Sequence, residues 1–163
     1  MKRIILAILL LATAAGAAWW WFLPEQVLKR RTISLLETLT LPAGEGISSR
    51  QMKVYSLHAL LAEQVVLANP RVQEANGEWQ RADVEAAFSA VCQHAKMTQF
   101  DLLEIREFIH EGDKVTMQIT LDAKVEMPEI LVVNGKHHAK LIWTLHEQGW
   151  LLESSQWQPL SGD

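Results

Sequence analysis

Val115-Thr116-Met117-Gln118-Ile119-Thr120-Leu121-Asp122-Ala123-Lys124-Val125-Glu126-Met127 puts an apolar residue at every odd position and a polar one at every even position. Side chains on a strand alternate between its faces, so this period of two describes one long strand with a buried face and a wet face. A wet face argues against a parallel sheet covered on both sides and for an antiparallel sheet packed on one side only. The flanking sequence supplies the partners. Phe100 to His110 leads in across Glu111-Gly112-Asp113, a tight-turn sequence. Pro128 breaks or bulges the long strand, Asn134-Gly135 gives a second hairpin signal, and Ala139, Leu141, Trp143 and Leu145 alternate in the next strand. Gly149 then turns the chain into Trp150 to Trp157.

Upstream the period is helical. Asp83 to Met97, with Asp83 placed as its cap, carries Val84, Ala87, Phe88, Val91, Cys92 and Ala95 at spacings of three and four. Glu25 to Leu41 holds a looser helical pattern of Val27, Leu28, Ile33, Leu35, Leu36 and Leu39 after Pro24, and Pro42-Ala43-Gly44-Glu45-Gly46 ends it. Ser48 or Ser49 can cap a second helix whose buried side includes Val54, Leu57, Leu60 and Leu61. Val65 to Ala68 reads as a short strand stopped by Asn69-Pro70, with Val72 to Ala75 as its return and Asn76-Gly77 as a turn signal. Helices first and then an antiparallel meander is an α+β plan.

Ahead of this domain Ile4 to Leu23 forms an uncharged apolar run that closes on Trp19-Trp20-Trp21. At about 1.5 Å per helical residue the run reaches roughly 30 Å, the thickness of a bilayer's hydrocarbon core. Indole rings favour the headgroup level, so the tryptophans read as an interfacial belt and the run as a transmembrane signal anchor. Lys2 and Arg3 favour a cytoplasmic amino terminus, against competition from Lys29-Arg30-Arg31. The expected address is a bacterial inner membrane, single-pass, with the globular part in the periplasm. The alternative is a secreted chain, cleaved after Ala12-Thr13-Ala14 or Ala15-Gly16-Ala17. Residues 1–24 are thus the anchor and 25–163 one domain. The full chain has a formal charge of −4, and the part beyond residue 24 is more acidic still because Lys2 and Arg3 precede it. Nucleic acid is therefore not an expected partner. One cysteine builds neither a disulfide nor a paired-thiol site.

Two helices, a short hairpin, a third helix and long antiparallel strands is an order that resembles the nuclear transport factor 2-like (SnoaL-like) superfamily. Leu60-Leu61-Ala62-Glu63-Gln64-Val65-Val66-Leu67 looks like the family's passage from helix into first strand. Glu78-Trp79-Gln80-Arg81-Ala82-Asp83-Val84-Glu85-Ala86-Ala87-Phe88 looks like its entry into the third helix, and Gly149-Trp150-Leu151-Leu152 like the start of its last strand. The resemblance implies a cone in which a curved, mainly antiparallel sheet and helices enclose a pocket. Members include isomerases, cyclases and dehydratases as well as binding and assembly modules. The ketosteroid isomerases of the superfamily carry an Asp-Pro where the first strand ends, and that Asp shuttles the proton. The matching pair here is Asn69-Pro70, and an amide does not exchange a proton near neutral pH. Their oxyanion-binding Tyr lies on the first helix, whereas the single tyrosine here, Tyr55, falls on the second.

The other chemical groups read as follows. His137 and His138 point to opposite faces of a strand and cannot share one ion without a bulge; His138 and His146 share a face about 26 Å apart. Cys92 lies on an apolar stripe as a core residue, and His94, roughly 200° around the helix, is no base for it. Tyr55, His58 and Asp101 are the weak catalytic candidates, with Asp122 on the face turned away from the pocket. Tyr55, Asn69, Phe88 and Trp143 are the expected pocket lining. Trp157 falls on the opposite parity from Trp150, so one of the two is expected to be exposed. No metal site and no cofactor are expected. The expected function is a membrane-tethered, non-enzymatic module that binds a small apolar ligand or a protein partner. The alternative is an isomerase-, cyclase- or dehydratase-type enzyme on a small hydrophobic substrate, and an apolar pocket holding a paired carboxylate or His would favour it. The sheet's outer face, rich in Thr, Lys and Glu, would make any homodimer interface wet.

Overall fold

The computed structural model describes residues 22–70, 73–128 and 131–160. The anchor run falls, up to residue 21, outside these; among the described residues no helix is long and apolar enough to cross a membrane. Helix α1 (Pro24–Leu39) opens with proline at a first-turn position, where a missing N–H breaks no helical bond. It buries Leu28, Thr32, Leu35 and Leu36 along one stripe. Helix α2 (Ile47–His58) is capped by Gly46, two residues before Ser48 and three before Ser49, and the Ser49 hydroxyl donates to Glu45 Oε1 at 2.8 Å. Helix α3 (Arg81–His94) follows the extended Gln80 and carries no side-chain cap, so Asp83 sits inside its first turn.

Among the described residues one sheet holds six strands: β1 (Leu61–Ala68), β2 (Gly77–Gln80), β3 (Met97–Glu111), β4 (Lys114–Glu126), β5 (Leu131–His146) and β6 (Gly149–Pro159). Their order is β2-β1-β6-β5-β4-β3. Every neighbour is antiparallel except β1 and β6, which run parallel and join the two ends of the chain's fold. The plan is α+β, as the periodicity requires. The three helices cover the inner face, where Met117, Ile119 and Leu121 of β4 meet Leu141 and Trp143 of β5. Each fully buried leucine there is worth about 2 kcal/mol of apolar burial. The outer face presents Gln118, Asp122 and Lys140 to water.

Two local expectations fail for identifiable reasons. Gln73–Ala75 form a short 3-10 turn, not a return strand, and pairing with β1 begins only at Gly77. The Trp79 indole holds that turn by donating to the Ala75 carbonyl at 3.0 Å. Asn134-Gly135 makes no hairpin; it lies within β5, paired with Lys124 and Ala123. The reversal falls after Glu126, where Pro128 cannot donate to a ladder.

Candidate functional site

Helix α1's last turns (Leu35, Leu36, Leu39), Leu57 of α2 and one edge of α3 (Val84, Ala87, Phe88, Val91) stand off from the sheet around a cavity of about 260 Å³. Its floor is Ile119, Leu121, Leu141 and Leu152, and its rim runs through Leu61, Val65 and Leu67 of β1 to Trp157 of β6. Among the described residues lining it, Ser155 brings the one hydroxyl and Trp157 an indole N–H. The Trp157 indole N–H donates to Ser155 Oγ at 2.7 Å. Edge-on contacts with Phe100, at 5.8 Å and 78° between rings, and with His137, at 6.0 Å and 61°, hold the indole. His137 is itself only 2% exposed, and its Nδ1 donates to the Gly135 carbonyl at 2.8 Å. A carbonyl only accepts, so Nδ1 carries a proton.

The residues singled out from the sequence do not assemble into a catalytic set. Phe88 lines the cavity as expected. Trp143 is fully buried beneath the helices but is not part of the cavity wall. Tyr55 is 73% exposed and lines nothing, because the helix that turns Leu57 inward turns a residue two places away outward. His58 also points outward, its Nδ1 paired with Glu85 Oε1 at 2.7 Å across the α2–α3 surface. Asp101 is exposed, beside Lys53 in a shallow groove at the edge of α1. Asn69 ends β1 outside the cavity, its backbone N–H held by Asn76 Oδ1. Asp122 faces away on the outer side of β4, as its parity requires.

The histidine pair splits as strand geometry demands. His138 lies on the outer face with Nε2 3.3 Å from Arg106 Nη1 and Nδ1 3.2 Å from Thr120 Oγ1. A guanidinium only donates, so His138 Nε2 accepts and Nδ1 gives its proton to the threonine. Among the described residues no cluster of three or more His, Cys, Asp or Glu is placed to hold a metal ion. Cys92 is a core residue; burial pushes its thiol up from the ordinary range, and it donates to the Arg50 carbonyl at 3.3 Å.

The sequence reading missed Ser155 and the rim position of Trp157. An extra residue in β6 is the reason. Ile142 pairs with Ser154 while Trp143 pairs with Leu152, so Glu153 is bulged out. The bulge reverses the parity of everything after it, which brings both Trp150 and Trp157 to the inner face, each half-buried against the core.

The sequence matches no protein-family model and none of the curated proteins. Solved structures do share its fold. A protein described as a suggested aromatic ring hydroxylase, from Novosphingobium aromaticivorans, superposes with a TM-score of 0.65 at 12% identity, over 83% of this chain and 87% of its own. A nuclear transport factor 2-like protein from Cytophaga hutchinsonii gives 0.60 at 15% identity, over 85% of this chain and 100% of its own. A suggested dehydratase of the nuclear transport factor 2-like family, from Streptomyces avermitilis, gives 0.60 at 15% identity, over 83% and 94%. At such identities the likeness carries the fold alone: the nuclear transport factor 2-like cone, with a curved mixed sheet and three helices.

Proposed function

We propose that this chain is a non-enzymatic binding module that holds a small apolar ligand in the cavity between helices and sheet. In the same reading, residues 4–23 tether it to a bacterial inner membrane with the domain on the periplasmic side. One observation carries the ligand reading: among the described residues, leucines, valines and two aromatic residues line the cavity, with a single hydroxyl and no titratable side chain. Isomerisation, cyclisation or dehydration each needs a group that gives or takes a proton at the substrate. The His58–Glu85 pair, the nearest thing to such a group, faces solvent. Among the described residues, the catalytic reading suggested by the names of two fold neighbours has no proton-transferring side chain in this cavity to act through.

Methyl NMR on the full chain in lipid nanodiscs tests the reading with indane as the probe. Saturable shifts are expected at the methyls of Val65, Leu121 and Leu141, and Val91→Phe, which fills the cavity from α3, is expected to abolish them. Leu67→Phe fills it from the opposite rim and gives the same test should the first variant fold poorly. Shifts that survive both filled cavities, or no shift in the wild type, would sink the proposal.

A further inference from the structure

The cavity wall narrows the kind of molecule that fits. An apolar cavity of about 150 Å³ accommodates benzene. At about 260 Å³ this one has room for a fused bicycle. Among the described residues no cationic or anionic side chain lines it, so an ionised ligand would lose its water without gaining a partner. The remaining polar feature is directional. Ser155 is 8% exposed, and its Oγ already accepts the Trp157 indole proton at 2.7 Å. Among the described residues nothing accepts the hydroxyl's own proton. Phe100 and His137 fix the indole, so the accepted bond is fixed too, and the free O–H is left to serve the cavity. A buried donor without an acceptor is unfavourable, and a ligand oxygen placed there relieves it.

We infer that the cavity takes an uncharged ligand of bicyclic size bearing one hydrogen-bond acceptor, a carbonyl or ether oxygen, which the Ser155 hydroxyl meets. This rests on the ligand-binding reading given above. A plain hydrocarbon fits the walls but leaves the donor empty, and a carboxylate fits neither walls nor charge.

Titrating 1-indanone and indane into the full-length protein in nanodiscs, wild type and Ser155→Ala, separates the two ideas. Loss of the hydroxyl is expected to weaken 1-indanone by roughly three- to tenfold and to leave indane unchanged. Partition into lipid is the same for both proteins and drops out of each ratio. The infrared carbonyl stretch of bound 1-indanone, expected below its position in an alkane solvent, reports the bond in the wild type without any variant. Should neither probe bind, the binding reading itself falls. Should both bind, with an unshifted stretch or equal losses in Ser155→Ala, the acceptor inference falls and the binding reading stands. Indane-1-carboxylate binding as tightly as the ketone would overturn the requirement for an uncharged ligand.

Discussion

Arg50 shows how much one residue can hide from its sequence. On α2 it is 6% exposed, and its guanidinium serves four backbone carbonyls that no local pattern announces. Nη1 donates to Ala95 at 2.6 Å and Cys92 at 3.4 Å; Nη2 donates to Lys96 at 3.0 Å and Pro42 at 3.1 Å. These include carbonyls that α3 leaves unpaired at its negative end, so the charge answers the helix dipole; among the described residues no carboxylate forms an ion pair with it. Arg50→Met is expected to cost about 3 kcal/mol, seen as a lower urea midpoint, and Arg50→Lys to recover less than half of it. A loss below about 1 kcal/mol would show the contacts to be replaceable by water. Glu153 gives a pH-dependent counterpart. Burial alone would push its carboxyl up, but Lys114, 2.6 Å away, together with Thr144 and His146, more than offsets this and holds it below the usual carboxylate range. A folded-state pKa below the unfolded one lends stability that is complete above the ordinary carboxylate range and is lost as pH falls through the folded value. The stability gap between wild type and Glu153→Gln should therefore be widest near neutral pH and close on acidification. A gap that is constant with pH would assign the effect to packing.

At the scale of elements, legibility followed regularity. β4 was readable residue by residue because it pairs with β3 and β5 over nearly its whole length, and the pleat then dictates parity. In β3 Leu103 and Arg106 are each an extra residue against β4, so its inward set past Phe100 is Leu102, Ile105 and Phe108. A spacing of three on a strand mimics a helix and defeats a period-two reading. The same effect in β6 concealed Ser155. What joins the two parts of the sheet, the parallel pairing of β1 with β6, left no local mark because it depends on residues far apart in the chain. The β5–β6 turn carries a sharper constraint than its glycine suggests. Gly149 sits at φ +105, and a Cβ there would stand 3.2 Å from Arg31 Nη2. That guanidinium is already engaged, Nη1 donating to the Ala59 carbonyl at 3.1 Å. Gly149→Ala is expected to cost about 2 kcal/mol, against about 1 kcal/mol for Gly112→Ala, whose φ of +63 and open surroundings are less demanding. Equal thermal shifts for the two would refute a role for Arg31.

At the scale of the whole molecule the proposed tether makes a plain expectation. Intact mass of the membrane-extracted protein should include residues 4–23, and a mature chain beginning after Ala14 or Ala17 would replace the anchor with a cleaved signal. The parallel pairing has a consequence in time. Leu61 of β1 is matched to Leu152 of β6, about ninety residues later. A chain emerging amino end first at roughly 5–20 residues per second leaves β1 waiting several seconds or more for that partner. Until then β1 has no partner on the edge that β6 will take, and the cavity floor lacks Leu152. Hydrogen exchange pulsed during refolding should protect β1 and β6 amides together, after the β3–β4 hairpin. For the periplasmic address proposed above, β1 would still be without its parallel partner while the chain is threaded across the membrane.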